Sequence, residues 1–339
     1  MPRKLNIKGC IKVDSEIGHN SLFLTYQNKE KNLEVKISPH FGSNIYSFKY
    51  NNKDIFYCDL SLLKQRDWTG CFVLWPYPNR VRDKKFEFEG EKYSLKKIKR
   101  KNGNYPLIHG LVDNKIWEIG KIQIGSNFVK AQTFIECKAG NNIYEYFPFE
   151  SKLTLKFTLN EFGLRVDYKV ENFSNKNLPF GFALHPYFSL LSGRNHTLVR
   201  LPAKNVMDAD KELLPTGNLI NVKGTHFDLN SPISLSKLSL DHVFTDLDKN
   251  HTPCIDYSDK KMKVFLDSSE DFTHMVVYTP QEEPYLCMES QTGSTDMINL
   301  HTKGVKQNNL SLQKAAHLLV LSPKHEHGGF IHYKISEQA

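Results

Sequence analysis

The sequence predicts an all-β fold, a single large antiparallel β domain covering residues 1–339. Three observations predict it. Apolar residues recur with period two in one segment after another from about residue 20 onward. Turn-forming residues punctuate those segments at short intervals. Helical periodicity is scarce, and neither a fixed-period repeat nor a long Gly/Ser/Pro linker divides the chain.

In chain order, residues 22–26 and 33–38 read as strands, and a hairpin follows over 44–57 around Asn51-Asn52. The segment KFEFEGEKYSL places Phe86 and Phe88 before Glu89-Gly90, and Tyr93 and Leu95 after it, which is a second hairpin. Residues 128–137 form another strand. Leu153, Leu155, Phe157 and Leu159 alternate with polar residues up to Glu161-Phe162-Gly163, and Leu164, Val166, Tyr168 and Val170 alternate after it. That pattern is a hairpin with one buried and one wet face. Further strands are expected at 262–267, 275–279 and 317–322, and short helices only at 59–66 and 313–317.

Hydrophobic residues make up 40% of the chain and aromatic residues 12%, enough for a sizeable core. The formal net charge of +8 is compatible with an anionic partner such as a phosphorylated substrate, but its lysines are spread along the chain and read as a solvated basic surface. The densest basic run is KKIKRK at 96–101. The expectation is no nucleic-acid and no membrane partner, since no apolar stretch approaches a membrane span. Six cysteines (Cys10, Cys58, Cys71, Cys137, Cys254 and Cys287) neither cluster nor form C-x-x-C. With no secretory signal at the N-terminus, they read as reduced, mostly buried thiols of a cytoplasmic protein.

Phosphate-binding, dinucleotide-binding, G-x-S-x-G and H-E-x-x-H motifs are absent from the sequence. His325 and His327 share a strand face and could chelate, but no third ligand follows from spacing, so no metal site is expected and the segment reads as a loop between strands. Four segments instead set polar residues among apolar and aromatic ones: Asn79-Arg80 after Trp-Pro-Tyr-Pro, His109 before Gly110, His185 before Pro186-Tyr187-Phe188, and Glu289 after an apolar strand. Asp241-His242 is a weaker fifth. A lone histidine in an apolar strand is usually a satisfied core residue. Glu289 is harder to explain that way, because a carboxylate flanked by Leu286, Cys287 and Met288 is costly to bury without a partner; Arg80 is one candidate ion-pair partner.

In this order the segments resemble the aldose 1-epimerase family: Asn79-Arg80 ahead of a β-hairpin, Ile108-His109-Gly110, His185-Pro186-Tyr187-Phe188-Ser189-Leu190, Asp241-His242, and Glu289-Ser290-Gln291. The resemblance covers roughly residues 20–337. Three positions depart from the family pattern: Leu111 replaces a second Gly, Ser189 an Asn, and Pro323-Lys324-His325-Glu326 a Pro-Gly-Glu. The resemblance implies a large antiparallel β-sandwich with a broad concave face, the galactose mutarotase-like supersandwich.

It also implies an isomerase that interconverts the α and β anomers of a free hexose without cofactor or metal. Glu289 would be the base and His185 the acid, with His109 holding the ring oxygen or the opened carbonyl. Apolar neighbours should raise the Glu289 pKa, and His185 should titrate near neutrality. Arg80, Asp241 and Asn79 would bind sugar hydroxyls, and Trp75, Tyr77, Tyr187 or Phe188 either pack on the ring or, equally, belong to the core. Two other readings share the fold: a hexose-6-phosphate mutarotase, suggested by the basic balance, and a non-catalytic carbohydrate-binding protein. Whether the chain acts as a monomer or a homodimer does not follow from the sequence.

Overall fold

A computed structural model describes residues 5–98 and 107–337, so the basic run at 96–101 lies partly outside the described residues. Half of the chain is strand and 12% is helix, far below the one-third helix of an average globular protein, and the sheets are antiparallel. The period-two reading therefore gives the correct fold class.

Two sheets carry the architecture. A nine-stranded sheet contains the predicted hairpin Ser151–Asn160 and Gly163–Asn172, with Phe128–Cys137 on one side of it and Glu326–Glu337 on the other. Phe128–Cys137 alternates buried and half-buried residues along its whole length, as half-buried strands do. A seven-stranded sheet runs in the order Pro215–Asn221, Ala203–Ala209, Asp241–Leu247, His274–Tyr278, Tyr285–Gln291, Ala183–Ser189, Cys71–Leu74. The two sheets bury facing sides against each other. Leu155, Phe157, Val166 and Tyr333 from the first meet Val73, Leu184, Val277, Leu286 and Met288 from the second in one hydrophobic cluster. Phe56 bridges the layers, edge-on to both Phe188 and Tyr333 at ring separations of 5.3 and 5.1 Å.

A five-stranded sheet, Asn6–Asp14 through Lys53–Asp54, completes the fold. Its last hairpin turns at Asn51-Asn52, where Tyr50 pairs with Lys53 and both asparagines take positive φ, the geometry two-residue hairpins favour. Its first strand was not anticipated. It pairs over nine residues with His19–Gln27, yet Ile11 and Val13 are exposed, so no buried face announces it.

Helix α1, Leu60–Lys64, falls where expected, capped by the Asp59 carboxylate on Ser61 and Leu62 backbone amides. The expected helix at 313–317 corresponds to Leu310–Ala316, with His317 just past its end as the C-cap. Met297–Lys306 is a helix that the pattern missed. It is held partly by polar side chains on a neighbouring backbone rather than by a long apolar stripe: Asn299 donates to Lys85 O and Thr302 to Glu87 O. Lys324 and His325 lie in the turn as expected, but His327 is the second residue of the strand Glu326–Glu337, and its Nε2 lies 2.9 Å from Asp271 Oδ2. All six cysteines are free, four of them buried. No described helix is long and apolar enough to cross a membrane.

Candidate active site

The face of the seven-stranded sheet turned away from the core carries the candidate site. Side chains alternate faces along a strand. In Tyr285–Gln291, Leu286 and Met288 enter the core cluster, which sends Glu289 and Gln291 to the opposite face. The neighbouring strand pairs Ala183 with Gln291 and Tyr187 with Cys287, a register that sets His185 across from Glu289. On its other side His185 pairs with Phe72. Two residues 104 positions apart thus become cross-strand neighbours by register.

His185 Nε2 lies 3.2 Å from Glu289 Oε1, and both side chains are more than nine-tenths buried. The imidazole is sandwiched between Phe72, stacked at 4.7 Å, and Tyr187, stacked at 5.0 Å. The other carboxyl oxygen, Glu289 Oε2, accepts a 3.0 Å hydrogen bond from Gln291 Nε2. Burial pushes the Glu289 carboxyl up to about 8, opposed by the Gln291 hydrogen bond and the Arg80 charge and reinforced by Asp241. Burial pushes His185 down to about 3, away from the neutral range expected from the sequence. Desolvation penalises both charged forms, and the pair rests as a neutral acid beside a neutral imidazole.

His109 approaches from outside the sheet. Its ring stands edge-on to His185 at 4.9 Å and to Trp68 at 4.8 Å, and its Nδ1 is 3.3 Å from Pro78 O. The backbone here is unusual, with φ positive at both His109 and Gly110. A Cβ on Gly110 would fall 2.2 Å from Trp75 O, so only glycine lets this turn press against the Trp75 backbone. The adjacent Leu111 amide donates to that same carbonyl.

Arg80 and Asp241 form the other flank. Arg80 Nη2 is 3.7 Å from Asp241 Oδ2, so the cation faces Asp241 most directly and influences Glu289 only through space. Asn79 is buried and its side-chain oxygen accepts from the Arg80 backbone amide. Together with Val243, Val276 and Thr295 these residues line one pocket. Two groups result: His109 stands against His185 and His185 against Glu289, while Arg80, Asp241 and Asn79 line a neighbouring pocket whose Arg80 and Asp241 charges reach Glu289 through space.

The four aromatic candidates divide between core and site face. Trp75, Tyr77 and Phe188 belong to the main core. Parity explains Phe188, since an odd offset from His185 puts it on the opposite face. Tyr187, two residues from His185, stays on the site face with Phe72, and Trp68 packs against them. Neither Phe72 nor Trp68 had been singled out. Phe72 was findable once Cys71–Leu74 was recognised as the strand paired with His185; Trp68 sits in a loop and offered no periodic signal. Among the described residues no three His, Cys, Asp or Glu side chains converge to hold a metal ion.

Comparison with known proteins agrees with this fold. The chain is 27% identical to human galactose mutarotase over 182 residues, 52% of this chain and 50% of that protein. It is 26% identical to the uncharacterised protein YihR of Escherichia coli K12 over 174 residues, 51% of this chain and 53% of that one. The matched region spans about half the length of these curated relatives. The fold is that of a galactose mutarotase-like protein from Clostridium acetobutylicum, with a TM-score of 0.83 at 22% identity, covering 99% of this chain and 100% of that one. It is also that of galactose 1-epimerase from Lactobacillus acidophilus, with a TM-score of 0.75 at 16% identity and coverage of 99% and 100%. The sequence model described as aldose 1-epimerase matches residues 23–316, and with that match over most of its length the chain belongs to the aldose 1-epimerase family.

Proposed function

We propose that this protein is a mutarotase that interconverts the α and β anomers of a free hexose by general acid–base ring opening. The observation that carries the reading is the buried 3.2 Å contact between His185 Nε2 and Glu289 Oε1 on register-paired strands. Proton transfer catalysis needs an acid and a base within hydrogen-bond reach of one another's targets. A buried His–Glu pair carrying one proton between them supplies both.

Before substrate binds the proton rests on Glu289, because burial favours the neutral forms. A bound sugar supplies hydroxyl dipoles that favour the carboxylate, and the proton moves to His185 Nε2. Glu289 then takes the proton of the anomeric hydroxyl while His185 gives its proton to the ring oxygen. The bond from C1 to the ring oxygen breaks and a C1 carbonyl forms. After rotation about the C1–C2 bond the two groups act in reverse, and the ring closes on the other face. His109, beside His185, holds the opening oxygen. Arg80, Asp241 and Asn79 hold hydroxyl groups through charge-assisted hydrogen bonds.

An uncharged sugar suits this cleft better than a hexose 6-phosphate. Among the described residues, the cation that acts on the pair, Arg80, already faces the Asp241 carboxylate, which would oppose a phosphate. The hydrophobic cluster joining the sheets supports reading the chain as one domain, and six free cysteines support a reducing compartment. The test is polarimetry on freshly dissolved α-glucose, α-galactose and α-glucose 6-phosphate, with the spontaneous rate subtracted. Acceleration of a neutral hexose supports the reading. Acceleration of the phosphate alone, or of no sugar, refutes it.

A further inference from the structure

Gln291 is fully buried on the site face of the seven-stranded sheet, two residues from Glu289. It pairs across the strands with Ala183 on one side and His274 on the other. Leu74 and Ala183 pack close by on that face, so an apolar residue would fill the position without desolvating an amide. The amide instead donates from Nε2 to Glu289 Oε2 at 3.0 Å, while Glu289 Oε1 faces His185. Each carboxyl oxygen thus has its own partner. The other end of the amide, Oε1, is buried and makes no hydrogen bond among the described residues. No second bond locks the amide in one orientation.

We propose that Gln291 is the positioning residue of this site, fixing the Glu289 carboxyl so that one oxygen aims at His185 and substrate, and serving both of its protonation states. To the carboxylate it donates Nε2–H. To the carboxylic acid, whose proton sits on the oxygen facing His185, it donates the same Nε2–H, because Oε2 still accepts. An uncharged donor suits a base that gains and loses its proton in every turnover, because it neither pins the carboxylate with a full positive charge, as a lysine would, nor repels it, as a second carboxylate would. This inference rests on the reading of Glu289 as base.

The groups that act electrostatically on Glu289 are few. His185 faces it from the adjacent strand, and Arg80 and Asp241 from the open flank. Cys287 and Tyr187 share its face, and Cys71 and Tyr333 also feel its charge; burial pushes all four upward, which keeps them protonated. His274, across from Gln291, is pushed down to about 3 and stays neutral. With these in place, the Gln291 hydrogen bond lowers the Glu289 pKa.

The test compares wild type, Gln291→Leu and Gln291→Glu by polarimetry from pH 5 to 10, with melting temperature measured in parallel. In Gln291→Leu the turnover number should fall at least about tenfold with the Michaelis constant within about twofold. The alkaline limb of kcat/KM, where the pair loses its shared proton, should move up by about one to two pH units, the strength of a hydrogen bond to a charged acceptor. Gln291→Glu keeps the shape and should move the limb higher still, because two carboxyls then compete for ionisation; it serves if the leucine variant does not fold. A folded variant with a lower melting temperature but an unmoved pH limb would make Gln291 a packing residue and overturn the proposal. Absence of mutarotation in the wild type, or full activity in Glu289→Gln, would instead overturn the function itself.

Discussion

His185 Nε2 lies 3.2 Å from Glu289 Oε1, a contact closed by the register of two antiparallel strands within an aromatic sleeve of Phe72 and Tyr187. Removing either member should abolish the relay and leave the walls standing. Glu289→Gln and His185→Asn should each lower turnover by at least about 100-fold, the usual range for general acid–base groups, with little change in the Michaelis constant. The double variant should lose less than the two single losses multiplied together, since the residues act as a unit. Polarimetry with the spontaneous rate subtracted checks this, and near-normal turnover in Glu289→Gln would make Glu289 a structural residue.

The same burial carries a stability cost whose sign differs for the two partners. The folded pKa of Glu289, about 8, lies above its ordinary 4.5, so its contribution is fully present below pH 4.5 and is lost as pH rises through 8. His185 is lowered from 6.5 to about 3, so its contribution is present above pH 6.5 and is lost as pH falls towards 3. Glu289→Gln should therefore melt above wild type by a few degrees at pH 9, with the difference shrinking towards pH 5. Scanning calorimetry across that range checks the trend. A constant or inverted difference would mean that Glu289 is not held neutral by burial.

Arg80 and Asp241 act on Glu289 with opposite signs, which separates their effects on binding from their effects on charge. Arg80 lowers the Glu289 pKa and Asp241 raises it. Arg80→Ala should move the alkaline limb of kcat/KM up, and Asp241→Asn should move it down. Both should raise the Michaelis constant by roughly tenfold, the loss of one charge-assisted hydrogen bond. The Asp241 side chain is 39% exposed, so its pH displacement should fade in high salt. Displacements of the same sign in both variants would contradict this electrostatic picture.

The fold was legible because the chemistry of half-buried strands writes itself into period two. The strand Phe128–Cys137 and the hairpin joining Ser151–Asn160 to Gly163–Asn172 fall where alternation put them. Alternation also marked which residues share a face with Glu289, and it would have removed Phe188 from the sugar-contact candidates had parity been applied. The strand Asn6–Asp14 escaped because its apolar residues stay exposed, and the helix Met297–Lys306 because part of its hold on the fold is polar. The polar residues of the site stood out as polar positions in apolar segments, but their convergence rests on register and loop reach, which no local window contains. The protonation of His185 was misjudged for the same reason: its pKa is set by burial between Phe72 and Tyr187, residues brought to it by pairing and packing.

The loop that presents His109 supplies a test of geometry rather than of chemistry. His109 and Gly110 both hold positive φ, at 68° and 72°, and the Gly110 Cα faces the Trp75 carbonyl so closely that a Cβ would come within 2.2 Å of it. That oxygen is backbone and cannot swing away. In Gly110→Ala the loop must therefore lift, which breaks the Leu111 amide bond to Trp75 O and carries the His109 ring away from His185. Turnover should fall by about tenfold or more, although every polar group of the site remains, because small misplacements of an oriented group are costly. Gly140 provides the control. Its φ is also positive, at 91°, but a Cβ there meets nothing within 4 Å. Gly140→Ala should cost about 1 kcal/mol of stability from backbone strain alone and leave turnover unchanged. If the two alanine variants lose activity equally, or if Gly110→Ala keeps full turnover, then the placement of His109 against His185 does not matter to the reaction, and His109 has no part in holding the opening ring.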